Sequence, residues 1–258
     1  MSVPKTAPEN APATGWSLEY PRPAVAVDLA IFTIVDADLK VLLIRRGEEP
    51  FKGGWALPGG FVRVGPSAEE QGEDLDAAAQ RELTEETGLR PGAAYLAQLH
   101  TFGRAGRDPR HRVITVAYYA LVRPTLAPLI HAGGDAASAE WHSVGRLPRR
   151  LAFDHREILD AALERIRDQV DESDIAFELV PETFSIPELR SVHEAIKGTA
   201  YDPGNFRRRF KRMQTDGFIV QEPGRRIGPT KPAAVYRFSR RKAEDRPAAP
   251  RSKKAEPR

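Results

Sequence analysis

Three carboxylates stand close together at Glu82, Glu85 and Glu86, with Arg81 immediately ahead of them. They belong to Glu73–Leu89, EDLDAAAQRELTEETGL, a stretch patterned as one amphipathic helix. Asp74 and Asp76 sit in its first turn, where the helix dipole favours carboxylates. Gly88 stands where a left-handed cap would end it. At about a hundred degrees per residue, Ala79 and Leu83 share the side of Leu75, while Ala77, Gln80 and Thr84 point the opposite way. Glu82 and Glu86 fall on the Leu75 side, with Glu85 beside them. Carboxylates on a solvated helix normally face outward with basic partners four residues away. These three lean toward the apolar stripe, with no lysine among them. Crowded carboxylates repel, and burial adds to the cost unless something cationic neutralises them. A hard divalent cation with oxygen ligands does so. Glu82, Glu85 and Glu86 are therefore the expected metal ligands, for Mg²⁺ or for Mn²⁺ in its place. Arg81 could orient one carboxylate and offset part of the charge.

Two other groups of residues suit anions. Gly103–Arg112, GRAGRDPRHR, is a basic loop ahead of a strand, and Arg107 and Arg110 in it could fork onto phosphate oxygens. Arg46, at the end of an earlier β-rich run, is read with them as a substrate contact. Much further on, GNFRRRFKRMQTDG forms a helix on which Phe206, Phe210 and Met213 share one face. Arg208, Lys211, Arg212 and Thr215 point away from that face, with Arg207 and Arg209 on its flanks. Asn205 and these cations, Arg207, Arg208, Lys211 and Arg212, suit double-stranded DNA. So do Arg225, Arg226 and Lys231 in the following PGRRIGPTKP stretch, read as a basic wing.

The elements that must hold these residues can be read in order. Residues up to about Pro21 are rich in Pro, Ala and polar types and read as a flexible arm. Ala24–Val35 and Lys40–Arg45 are β-rich runs separated by the turn residues Asp36-Ala37-Asp38, which predicts a hairpin. PFKGGWALPGGF is too glycine-rich for a helix and reads as a loop. Tyr95–Phe102, Val113–Val122 and Ala139–His142 are further strand candidates. Asp154 is a plausible N-cap for a helix whose stripe is Ile158, Leu159, Ala162, Leu163, Ile166 and Val170. His155 beside it reads as structural rather than catalytic, and Glu140 is an outside candidate for the catalytic base. A second unit begins near Ser173. Ser185-Ile186-Pro187-Glu188 is a capping box opening a helix through Lys197, and Asp202-Pro203 starts the basic helix. Two short helices joined by a brief turn, the second basic, make a helix-turn-helix. Phe218–Gln221 and Val235–Phe238 alternate like strands, and the tail from Arg240 reads as disordered. The domains expected are the arm at 1–21, a first domain at 22–172, a DNA-binding domain at 173–239 and a basic tail at 240–258.

The stretch Arg81-Glu82-Leu83-Thr84-Glu85-Glu86-Thr87-Gly88-Leu89, with Glu73 ahead of it and Leu57-Pro58-Gly59-Gly60-Phe61-Val62 upstream, resembles the Nudix box. Its opening glycine is replaced by Ser67, so Gly60 fits only if Gly65–Gln71 are a loop insertion. The mixed strands around a helix suggest α+β or an α/β/α sandwich. The resemblance implies the second, an α/β class Nudix sandwich followed by a winged helix-turn-helix. The 103–112 loop and Leu151–His155 resemble segments of ADP-ribose pyrophosphatase-type Nudix proteins and their regulator relatives. Together the two halves resemble the Nudix-related regulators of NAD metabolism. That implies a homodimer responding to ADP-ribose or a related nucleotide. It also leaves open an active pyrophosphohydrolase with Arg81, Glu82, Glu85 and Glu86 as its catalytic residues.

Composition bounds these readings. The 258 residues suffice for two modest cores. There is no cysteine, which excludes a disulfide framework and a thiolate metal site. No apolar run has the length of a membrane span, and MSVPKTAPENAPATG lacks the apolar core of a signal peptide, so a cytoplasmic location without membrane contact is expected. The net charge of +3 is mild, so where the positive charge lies says more than its total.

Overall fold

The computed structural model describes residues 22–65, 71–130, 136–227 and 232–239. The N-terminal arm, Ser67, Lys231 and the tail from Arg240 lie outside the described residues.

Strands β1 (Ala24–Val35) and β2 (Asp38–Arg46) form the hairpin that the turn residues predict. Asp36 and Ala37 take positive φ values of 54° and 59°, the twist-matched two-residue connection. The glycine-rich stretch is more ordered than a plain loop, because it contributes β3 (Trp55–Ala56) and β4 (Gly59–Phe61). After α1 (Leu75–Thr87) come β5 (Tyr95–Phe102), β6 (Val113–Leu121), β7 (Ala136–Ser143) and α2 (His155–Gln169). The seven strands make one mixed sheet in the order β3-β2-β1-β6-β5, with β4 on β1 and β7 on β2. Only the β1–β6 pairing is parallel among those described.

Successive side chains of a strand point to opposite faces, and β1 uses both. Val27, Leu29 and Ile31 pack with Ala78, Ala79 and Leu83 of α1, while Ala30, Phe32 and Ile34 share a cluster with Ile158, Leu159 and Ala162 of α2. The result is the α/β/α sandwich. β1 also changes partner midway: Ala26–Asp28 pair with β4, and Phe32–Val35 pair with β2. The sheet opens at that change, and Leu57-Pro58 passes there, with Leu29 N donating to Pro58 O at 2.8 Å.

The second unit is a winged helix. A short 3-10 turn (Ile175–Leu179) leads to β8 (Thr183–Phe184), α3 (Ile186–Lys197), α4 (Pro203–Thr215), β9 (Ile219–Arg226) and β10 (Ala233–Phe238). The capping box forms, since Ser185 Oγ accepts from Glu188 N while Ser185 N donates to Glu188 Oε2. The Asp202 carboxylate accepts from Asn205 N at 2.7 Å. β9 runs longer than the alternation predicts, because a bulge shifts its register against β10 between Val235 and Ala234. One apolar cluster runs from Phe32 and Tyr119 through Leu159, Ile166 and Val170 to Phe177, Leu189, Ile196, Phe206 and Phe210. Among the described residues, no helix is long and apolar enough to cross a membrane.

Candidate functional site

Helix α1 carries its carboxylates into a cavity. Its buried face is Ala78, Ala79, Glu82, Leu83, Glu86 and Thr87, which includes the predicted Ala79 and Leu83. Leu75 does not belong to it, being 36% exposed at the first helical residue. Glu82 and Glu86 are buried, and Glu85 lies at the rim with 41% of its side chain exposed. A Cβ at position 60 would lie 2.2 Å from Glu82 Oε1, so glycine alone lets β4 approach that carboxylate. Most of the expected 65–71 insertion lies outside the described residues, but Arg63 and Glu73 on either side of it are bonded to each other. Arg63 N donates to Glu73 Oε1 at 2.9 Å, and Glu73 N donates to Arg63 O at 3.1 Å. Gly72, at φ 107°, passes so near Arg63 O that any side chain would collide with it.

Arg81 does more than orient one carboxylate. Its guanidinium forks onto Glu73 (Nε to Oε2 3.0 Å, Nη2 to Oε1 2.6 Å) and also donates from Nη1 to Glu82 at 2.6 Å and Glu85 at 2.9 Å. These bonds to Arg81 hold the Glu73 carboxyl down at about 2. Burial instead pushes Glu82 above its ordinary value, against the pull of Arg81. Oxygen donors of this kind suit a hard divalent cation, and Gly60 leaves Glu82 the room to serve as one. In this arrangement, however, no three acidic or histidine side chains among the described residues converge closely enough to hold an ion together. Arg81 bridges three of the carboxylates instead.

The same cavity, about 470 Å³, is lined by Arg46, Arg81, Glu82, Glu85, Glu86, Arg107 and Arg110. The loop arginines differ from expectation. Arg107 is buried, and its fork is taken by Asp154 (Nε to Oδ2 2.9 Å, Nη2 to Oδ1 2.7 Å), with a further bond to Asp28 at 3.1 Å. Desolvation opposes its charge, but Asp154 and Asp28 outweigh it, so the proton is held more tightly than usual. The guanidinium predicted to grip phosphate is thus engaged within the fold. Asp154 occupies the N-cap position but makes no side-chain cap bond, because its carboxylate serves Arg107. His155 is structural: Leu57 N donates to its Nδ1 at 2.8 Å, and its Nε2 lies 3.5 Å from Asp28 Oδ1. Burial lowers its pKa, which keeps the imidazole neutral. Asp28 escapes the motif reading, although an acid isolated inside the apolar run AVAVDLAIF is itself a signal.

Arg46 and Arg110 also line the cavity, each with a partner of its own: Arg46 Nε donates to Pro50 O at 2.7 Å. Arg110 forks onto Asp108 (2.7 and 3.1 Å) and lies 5.5 Å over Phe61 and 5.9 Å over Phe153. Arg46 lies 4.8 Å over Phe153. Burial, and next the nearby Arg110, lower the Arg46 pKa. Phe153 holds its ring there from a left-handed backbone, φ 53°, a conformation costly for a bulky residue. Glu140 is not among the cavity residues; it lies exposed on β7, 4.0 Å from His142.

On the winged helix, α4 buries Phe206 and Phe210 and leaves Asn205, Arg207, Arg208, Lys211 and Arg212 exposed. Arg208 donates to the Asn205 side chain. Arg225 is exposed on β9. Arg226 is not a free wing cation: it donates to Glu188 at 2.6 Å and to Thr183 O at 2.8 Å, tying β9 to the capping box of α3.

The NUDIX domain profile matches residues 24–162, and that of the NrtR DNA-binding winged helix domain matches residues 176–238. The chain is 35% identical over 224 residues to an Acinetobacter baylyi protein described as an ADPR responsive transcriptional repressor NtrR, spanning 86% of this chain and 84% of that one. It is 42% identical over 140 residues to the ADP-ribose pyrophosphatase of Methanocaldococcus jannaschii, spanning 54% of this chain and 73% of the relative. The crystal structure of Shewanella oneidensis NrtR complexed with a 27mer DNA superposes with a TM-score of 0.70 at 31% identity, covering 85% of this chain and 95% of that one.

Proposed function

Because the chain belongs to the Nudix family and joins its Nudix domain to an NrtR winged helix, we propose that it is an ADP-ribose-responsive transcriptional regulator that binds double-stranded DNA as a homodimer. One observation carries this reading. Leu57, on the wall of a cavity that holds both acidic and basic side chains, belongs to the same apolar cluster as Phe206 and Phe210 of the outward-facing arginine helix. Arg46 and Arg110, two like charges brought together at the cavity mouth, favour an anionic group such as a diphosphate. Phe61 and Phe153 offer ring faces beside them. Asn205, Arg207, Arg208, Lys211 and Arg212 would meet the major groove, and Arg225 the backbone.

The test is a gel shift with DNA from upstream of the chain's own gene, with and without ADP-ribose. A shift that ADP-ribose changes supports the reading; retardation that ignores ADP-ribose, or no retardation at all, counts against it. Coupling of the usual size, about 1–3 kcal/mol, would move DNA affinity by roughly 5–150-fold.

A second reading, hydrolysis of nucleoside diphosphate-linked compounds, is favoured by the full carboxylate set on α1 and by the likeness to the pyrophosphatase. Glu82, Glu85 and Glu86 would hold a divalent cation, with Mg²⁺ the first choice and Mn²⁺ the second. That ion would supply charge for the bridging oxygens and a water of lowered pKa. Arg81 would keep Glu73 and Glu85 aligned, and Arg46 and Arg110 would hold the diphosphate. Glu85→Gln should remove both divalent-ion binding, measured by calorimetry, and any release of phosphate ester from ADP-ribose.

A further inference from the structure

Helix α2 ends at the junction of the two domains, with Arg167 in its last turn and Asp171 in the turn two residues past its end. Arg167 Nε donates to Ile196 O at 3.1 Å, in the last turn of α3, where a cation is favoured. Asp171 gathers donors from both winged-helix helices and their turn. Lys197 Nζ lies 3.0 Å away, Tyr201 Oη donates at 2.8 Å, and Arg209 donates from Nη1 to Oδ1 at 2.5 Å and from Nη2 to the Asp171 main-chain oxygen at 2.6 Å. The other α4 cations, Arg207, Arg208, Lys211 and Arg212, stay exposed, whereas Arg209 is half-buried and turned toward α2. Apolar packing also joins α2 to the winged helix, but it is non-directional. A two-point arginine contact fixes an angle.

We propose that Asp171 is the positioning residue that registers the DNA-reading helix α4 on helix α2 of the nucleotide-binding domain. Through it a displacement of α2 reaches α4 as a change of orientation instead of being absorbed at the junction. The inference rests on the regulator reading above. It has a second consequence: Asp171 keeps Arg209 from adding its charge to the DNA face.

The test uses the full-length protein, ADP-ribose, a fluorescent duplex selected by the wild type from a random library, and a scrambled duplex of equal length. In the wild type ADP-ribose should change affinity for the selected duplex by about 5–150-fold. In Asp171→Asn that ratio should fall to within about twofold of unity. Affinity for the selected duplex should drop. Affinity for the scrambled duplex should rise, with a steeper salt dependence, as Arg209, no longer charge-paired with a carboxylate, turns toward phosphate. ADP-ribose affinity without DNA should match the wild type, which separates lost registration from lost fold. Arg209→Gln breaks the same contact from the other side. It should lose the ADP-ribose response too, without the gain on scrambled DNA, and it decides the matter if Asp171→Asn misfolds. An unchanged response ratio in the folded variants overturns the inference and leaves the regulator reading standing. A wild type that binds DNA indifferently to ADP-ribose overturns both.

Discussion

Helices α1 and α4 are each 13 residues long and heavily charged, yet they bury opposite things. α4 hides Phe206 and Phe210 and turns most of its arginines to solvent. α1 hides Glu82 and Glu86 beside Ala79 and Leu83, and its Arg81 bonds three carboxylates at once. A buried charge must be matched within the fold or lose its hydration for nothing. An exposed charge needs no match and stays available to a partner. The two helices therefore mark an interior site and an exterior surface by the same rule, and single substitutions can separate them.

The largest effect should come from an inward charge. Arg107→Ala strands Asp154 and Asp28 without their shared cation. It should cost about 3–5 kcal/mol of folding free energy, read by urea unfolding, since it leaves buried carboxylates uncompensated. A loss below about 1 kcal/mol, the scale of a surface pair, would place this network outside the rule.

Next comes a proton. His193, buried on α3, is lowered from 6.5 to about 4 by burial and then by Arg209, which together outweigh the nearby Asp171. The unfolded chain therefore takes up a proton that the folded chain refuses. The stabilisation is full above pH 6.5 and declines as pH falls toward about 4, by on the order of 3 kcal/mol. Asp171 also sits below its ordinary value: desolvation works against it, but Arg209, Tyr201 and Lys197 prevail. Its share is lost only below pH 3.8, outside that window. His193→Gln should make stability fall less steeply between pH 6.5 and 4, with buried His155 keeping part of the slope, and an unchanged slope would count against the assignment.

The outward charges come last, and neighbouring wing arginines sharpen the contrast. Arg208→Ala should weaken DNA binding by about 1–3 kcal/mol with sequence preference relaxed, while the melting temperature holds. Arg225→Ala should reduce the salt slope of binding by about one unit. Arg226→Ala should leave that slope alone and cost less than about 1 kcal/mol of stability, because its partner is Glu188 and not a phosphate.

Much of this was legible because it is local. The hairpin turn, the Gly88 cap, the α2 stripe and the capping box at Ser185 each depend on residues within a few positions of one another. Sequence also picked out residues that turn out to line one cavity, Arg46, Arg81, Glu82, Glu85, Glu86, Arg107 and Arg110. What it could not supply was their partners. Arg107 meets Asp154 across 47 positions, and Arg226 meets Glu188 across 38, so neither could be told from a free cation. Asp171 carries no signal in the sequence, one residue past the apolar stripe that ends at Val170, until α3 and α4 are folded against it. Strands β3 and β4 escaped for a similar reason, since two- and three-residue strands exist only through pairing with β2 and β1.

The apolar cluster that crosses α2 without a break has a consequence for supply as well as for signalling. That cluster joins the α2 face of the Nudix domain to the winged helix, so unfolding the first would strip packing from the second, and whatever binds the folded Nudix domain also protects the winged helix. A ligand at a hundred times its dissociation constant adds about 2.7 kcal/mol to the folded state. That is enough to thin the opened population on which proteases feed by roughly a hundredfold. The nucleotide would then govern the lifetime of the chain together with its hold on DNA, and a starved cell would dispose of the molecule as well as redirect it.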